Sequence, residues 1–300
     1  MSDSLADILK DNPWPEMAQK LENAMKVNPL ALAGRFVLER DESVLNSFGS
    51  LPGNEISRLL LNLPPQPFIG SPKAKIWILQ FNPGYSETID SFDYLGKDSL
   101  PEHDDHKIAI VSSLKERIDL LCSQYRFKNK VFYALTQRFH TFRKGFRKGH
   151  ERGAYLWYQE SLFPRNDGCF SFVAEQKREE FCRDNIFVLE FFPYHSKTFN
   201  LNIFPFLPSF DFWRRLIHYG FMKNKIMLCH GLRSKNSVMA SVLASVEGFE
   251  AAISNGCLHS IVLPGKGRST LILKRKTVEP IKRGTTLFRS FCDEVRSKYH

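Results

Sequence analysis

Along residues 1–63, apolar side chains recur at three- and four-residue spacing, the period of amphipathic helices. "SLADILKD" (Ser4–Asp11), "PEMAQKLENAMK" (Pro15–Lys26), "LALAGRFVLER" (Leu30–Arg40) and "EISRLLLNL" (Glu55–Leu63) follow it, so this stretch is expected to be helical. "NLPPQPFIGSP" (Asn62–Pro72) breaks the period with its prolines and reads as a linker or extended arm. Beyond it the pattern shifts to short, continuous apolar runs. "AKIWILQF" (Ala74–Phe81), "NIFVLEFF" (Asn185–Phe192) and "KIMLCH" (Lys225–His230) read as buried strands. A fourth strand is either "LHSIVL" (Leu258–Leu263) or "STLILKR" (Ser269–Arg275), and these two could also form a hairpin across "PGKGR". Amphipathic helical patterns cover His106–Phe127, Phe210–Phe221, Ser234–Phe249 and Thr285–Tyr299. Strands alternating with helices predict an α/β fold: a three-layer αβα sandwich around a central four-stranded, mainly parallel sheet. The expected organisation is an N-terminal helical extension over residues 1–65 and an α/β domain over 66–300, with a basic, aromatic insertion around 125–165.

Charge sharpens this picture. The 300 residues carry a net charge of +10, with an isoelectric point near 9.3, which favours an anionic partner and nucleic acid first. The basic residues cluster: "RFHTFRKGFRKGHER" (Arg138–Arg152) interleaves them with Phe139, Phe142 and Phe146, and a second group runs from Lys266 to Arg283. One such run would read as a solvated surface; two, with the high isoelectric point, raise the case for nucleic acid. Aromatic residues make up 13% of the chain, 26 of them Phe; most must be core, and some could stack on bases. No apolar run is long enough to cross a bilayer, and the N-terminus lacks a basic-then-apolar secretory signal. A cytoplasmic protein without membrane contact, acting as a monomer, is expected. The six cysteines are scattered, with no CxxC spacing, so reduced thiols and neither metal nor cofactor are expected.

In parallel sheets, ligands bind beyond the carboxyl ends of the strands. The candidate chemistry therefore lies in Gln80-Phe81-Asn82-Pro83-Gly84-Tyr85 after the first strand, in Glu190 through Lys197 at the end of the second, and in His230-Gly231 after the third. Taken singly, an Asn-Pro-Gly sequence is an ordinary turn and a buried Glu an ordinary partner for a backbone donor. Their shared position is what points to a site.

"QFNPG" (Gln80–Gly84) resembles the G-x-[DN]-P-G motif that follows the first strand in the uracil-DNA glycosylase superfamily, with Gln80 in place of the first Gly. The resemblance spans roughly Ile69 to Lys298 and is strong only at this motif. It implies a monofunctional hydrolase of N-glycosyl bonds that flips a base out of DNA and leaves an abasic site, with Asn82 orienting the water. It also implies base contacts from Gln80, Tyr85, Glu190 and His195, and DNA contacts from Lys266, Arg268, Lys274 and Arg275. Phe92 and Tyr94 lie where relatives supply a stacking aromatic, with core packing the equal alternative.

Glu190 departs from the family pattern, which commonly has Asn there to read uracil. As a carboxylate it only accepts, which suits cytosine N4 better than uracil O4; as a neutral acid it could donate to O4. The favoured expectation is therefore excision of a cytosine modified at its 5-position, similar to prokaryotic antiviral members that strip hypermodified cytosines from phage DNA. The alternatives are uracil or mismatch repair, or a non-catalytic nucleic-acid-binding protein on the same fold. The family's H-P-S motif, whose His stabilises the departing base, is missing. "VLPGKGRS" with Pro264 and Lys266 could form the wedge loop, and Lys274, Arg275, His195 or His230 could take the His role. A small-molecule α/β enzyme is the remaining class, without a GxGxxG, GxxxxGK[ST] or GxSxG motif in its favour.

Overall fold

A computed structural model describes residues 4–27, 34–49, 59, 61–81, 115–116, 118–128, 131–132, 135, 161–164, 168–195, 207–230, 232, 238–261, 278–280 and 287–300. It is an α/β fold on one mixed sheet. The strands are β1 (Phe68–Gly70), β2 (Ile76–Gln80), β3 (Ile186–Glu190), β4 (Ile226–His230), β5 (Leu258–Ile261) and β6 (Val278–Pro280). Their spatial order is β1-β3-β2-β4-β5-β6. The inner strands β3, β2, β4 and β5 run parallel to one another, as their long apolar runs require of strands covered on both faces. β1 and β6 pair antiparallel at the two edges.

The expected four-stranded sheet is thus corrected to a six-stranded, mixed one. The prolines of 62–72 do not make a free linker. They deliver Phe68 and Ile69 into the core, at 1% and 3% exposure, as an edge strand. The arm is tied along its length: Gln66 N–H donates to the Pro193 carbonyl at 2.8 Å, and the Gln124 side chain both accepts from Gly70 N–H and donates to its carbonyl. Gly70 has φ +91°, and a Cβ there would lie 2.3 Å from the Ile186 carbonyl oxygen. Only glycine fits that close approach of β1 to the start of β3. At the other edge, β5 pairs with Val278–Pro280; Ser269–Arg275, the alternative strand, lies outside the described residues.

The helices are α1 (Leu5–Lys10), α2 (Pro15–Val27), α3 (Glu39–Gly49), α4 (Arg178–Asn185), α5 (Phe210–Met222), α6 (Val238–Ala244), α7 (Phe249–Ser254) and α8 (Leu287–Tyr299). Residues 118–125 are also helical. One expectation fails here. Residues 34–38 are not helical, because Phe36, Val37 and Leu38 are all buried in succession, which no single helix face allows. Phe36 N–H donates to Leu61 carbonyl and Leu38 N–H to the Tyr194 hydroxyl. The helix starts one residue later, with Glu39, Asp41 and Glu42 in its first turn, where acidic groups suit the helix dipole. Residues 61–63 form a turn rather than the end of a helix.

Trp14, Met17, Ala18 and Leu21 of the N-terminal segment belong to the same continuous core as Trp77, Phe187 and Leu216. Two polar ties reinforce the junction. Arg126 grips Glu22 through both guanidinium nitrogens, at 2.6 and 3.0 Å. Asp41, fully buried, accepts from the Tyr194 hydroxyl and from Ser209 N–H, both at 2.8 Å. α5 and α8 lie on opposite faces of the sheet. A Cβ on Gly220 of α5 would meet Met227 Cε at 2.3 Å and Trp77 Cζ3 at 3.2 Å. On the other face, the His259 ring sits 5.7 Å from Phe288 of α8.

Candidate functional site

Two polar side chains end the two central strands side by side. Gln80 closes β2 and Glu190 closes β3, and the parallel register makes them direct partners. Partners in register project to the same face, about 4.8 Å apart at the backbone. The ladder continues one step past them: Phe191 N–H donates to the Gln80 carbonyl at 2.9 Å and Phe192 N–H to the Phe81 carbonyl at 2.8 Å. The chain thus remains held up to the residue immediately before Asn82. His230, the last residue of β4, ends the strand on the other side of β2.

Both side chains are buried, Gln80 at 9% and Glu190 at 5% exposure. Among the described residues, neither Gln80 Nε2 nor Glu190 Oε2 has a hydrogen-bond partner. Buried polar atoms of native proteins are nearly always paired, so two adjacent orphans at the ligand-binding end of a parallel sheet mark a place prepared for something else. Burial pushes the Glu190 carboxyl well above the ordinary carboxylate range, which favours its neutral form. A neutral acid presents one O–H donor beside one C=O acceptor. With the free amide N–H of Gln80, the pair can grip the edge of a flat, uncharged heterocycle.

Beside the same strand end, Glu190 borders a small, shallow recess lined by Trp14, Phe68, Phe191, Phe210 and Trp213. Phe191 and Trp213 are in close ring contact, centroids 3.9 Å apart, and Trp213 stacks on Phe210 at 5.1 Å. The Trp213 indole N–H is a third buried orphan among the described residues. Strand alternation sets Phe191 on the face opposite Gln80 and Glu190, so this aromatic wall backs the strand end from the other side. Trp213 carried no sequence signal beyond the apolar period of its helix.

His195 Nε2 lies 3.0 Å from the Pro64 carbonyl at 3% exposure, tying the proline arm to the loop after β3. Asn82, Tyr85, Phe92, Tyr94, Pro264, Lys266, Arg268, Lys274 and Arg275 lie outside the described residues, as does the basic Arg138–Arg152 stretch.

All six cysteines are buried free thiols. Burial pushes Cys122 up to about 12 and Cys182 and Cys229 well above the usual thiol range, which makes them poor nucleophiles. Among the described residues no group of three or more His, Cys, Asp or Glu side chains could hold a metal, and no helix is long and apolar enough to cross a membrane. No protein-family model, curated protein or solved structure matches this chain.

Proposed function

We propose that the protein is a monofunctional DNA glycosylase on a three-layer sandwich of the uracil-DNA glycosylase kind, working without cofactor. In this reading a flipped pyrimidine is held by Gln80 and Glu190, Asn82 orients the water that attacks the sugar, and the product is an abasic site. The observation that carries the reading is the buried Gln80–Glu190 pair, in register across β2 and β3, whose Gln80 Nε2 and Glu190 Oε2 lack hydrogen-bond partners among the described residues, with Gln80 two residues before the Asn-Pro-Gly sequence. The net charge of +10 supplies the attraction to DNA.

The favoured substrate is a cytosine modified at its 5-position in phage DNA, removed as antiviral defence. The reason for cytosine changes with the state of Glu190. An ionised carboxylate would have selected the N4 amino group by charge. The neutral acid instead matches cytosine with two bonds, its carbonyl accepting from N4–H and its O–H donating to N3. The same neutrality favours a second reading, uracil excision, because the acid can also accept from uracil N3–H and donate to O4. Oligonucleotides carrying cytosine, 5-hydroxymethylcytosine, glucosylated 5-hydroxymethylcytosine or uracil separate the two when scored for alkali-labile abasic sites. Asn82→Ala is expected to lose excision and keep DNA binding. Full activity in that variant contradicts the role given to Asn82, and salt-sensitive binding without cleavage across the whole panel supports a non-catalytic binding protein.

A further inference from the structure

A carboxyl group at position 190 is more than recognition requires. A neutral amide offers the same donor beside the same acceptor, at a lower cost of burial. What a carboxylic acid adds is a transferable proton. Glu190 is 5% exposed and in register with Gln80, and among the described residues neither its Oε2 nor Gln80 Nε2 has a hydrogen-bond partner. Among the described residues its surroundings give it no cation. Gln80 of β2 stands beside it, Val188 lies two residues back on the same face, and Pro67 precedes β1, its carbonyl accepting from Glu190 N–H at 2.9 Å. On the recess side Asp41 is bonded to Ser209, which lines the recess, and Tyr194 is bonded to Asp41. Neither contributes to the state of Glu190, for which desolvation is the whole cause among the described residues.

We propose that Glu190 is the proton donor to the departing base: standing beside Gln80 at the strand ends, its carboxyl O–H is given to the ring nitrogen N3 of a cytosine-type base as the glycosidic bond breaks. This rests on the glycosylase reading above, and it fills the role left open by the missing H-P-S histidine. As N1–C1′ breaks, its electron pair passes into the ring and N3 becomes basic. The Glu190 proton moves to N3, so the base leaves as a neutral tautomer rather than an anion. The attacking water adds its oxygen to C1′ and releases one proton to solvent. The Glu190 carboxylate, now ionised in an apolar setting, takes a proton from solvent once the base has gone. In sum a C1′–N1 bond and one water O–H are exchanged for a C1′–O bond and a base N–H, with no oxidant or reductant. Gln80 Nε2 steadies the ring by donating to it.

The test is single-turnover base release by the full chain from the four oligonucleotides named above, for wild type and Glu190→Gln. The amide keeps the shape, donor and acceptor of the neutral acid and lacks its acidity. On the substrate that wild type cleaves, the variant is expected to be slower by about 10²–10⁴-fold. Its affinity for an oligonucleotide carrying the uncleavable 2′-fluoro form of the same nucleoside is expected to stay within about threefold, since uncharged donor and acceptor are retained. The wild-type rate is expected to fall at high pH as Glu190 ionises, and that limb is expected to vanish in the variant. The pH limb is read on wild type alone, so it decides the matter even where the variant folds poorly. Equal rates, or a wild-type profile flat at high pH, overturn proton donation while leaving the glycosylase reading intact. Absence of release by wild type from every oligonucleotide overturns both.

Discussion

Replacing Glu190 by Gln tests whether the carboxyl is held neutral, without any substrate. In the unfolded chain Glu ionises around its ordinary value of 4.5; in the folded protein burial holds it protonated to well above that. Between those two values the folded state binds one more proton than the unfolded state, so stability must fall as pH rises. The slope is about 1.4 kcal/mol per pH unit, starting near pH 4.5 and ending at the folded pKa. Glutamine does not titrate, and every other group is common to both proteins. Urea unfolding of wild type and Glu190→Gln at half-unit steps from pH 4.5 to 8 should therefore show a stability difference that moves steadily in favour of the variant. The pH at which the difference levels off reads the Glu190 pKa directly. A difference constant across that range, within about 0.5 kcal/mol, refutes the neutral acid and with it the two-bond match to cytosine and the proton donation.

Two further substitutions examine the scaffold. Gly70→Ala must place a side chain at φ +91° and 2.3 Å from the Ile186 carbonyl oxygen, costing at least about 1–2 kcal/mol for the backbone alone; unchanged thermal stability would show that β1 does not approach β3 as described. Asp41→Ala strips the acceptor from the Tyr194 hydroxyl and from Ser209 N–H, two buried donors at about 1–3 kcal/mol each; urea unfolding should lose about 2–6 kcal/mol, and a loss under 1 kcal/mol would mean that the N-terminal helices are not anchored there.

The inner strands were legible because runs such as Ile76–Leu79 and Ile186–Leu189 are apolar at every position, the mark of a strand covered on both faces. That in turn made Gln80 and Glu190 visible as strand-end polar groups. The edge strands were not legible. Phe68–Gly70 is three residues long and follows a cluster of prolines, and its pairing depends on Gln124, 54 residues away. Phe36-Val37-Leu38 fits a helical period and a buried extended run equally well; only the partners Leu61 and Tyr194 decide. The contact of His195 with Pro64 was hidden for the same reason, since it spans 131 residues. The upward push on the Glu190 carboxyl comes from its surroundings, and no sequence pattern states how dry a carboxyl will be.

The most direct measurement is the release of free base from DNA containing modified cytosine by purified wild-type protein, with Asn82→Ala beside it. Alkali-labile sites at the modified cytosines are expected for wild type and none for the variant, at similar DNA affinity. Intact DNA in both lanes across cytosine, 5-hydroxymethylcytosine, glucosylated 5-hydroxymethylcytosine and uracil substrates, or equal cleavage by both proteins, would contradict it.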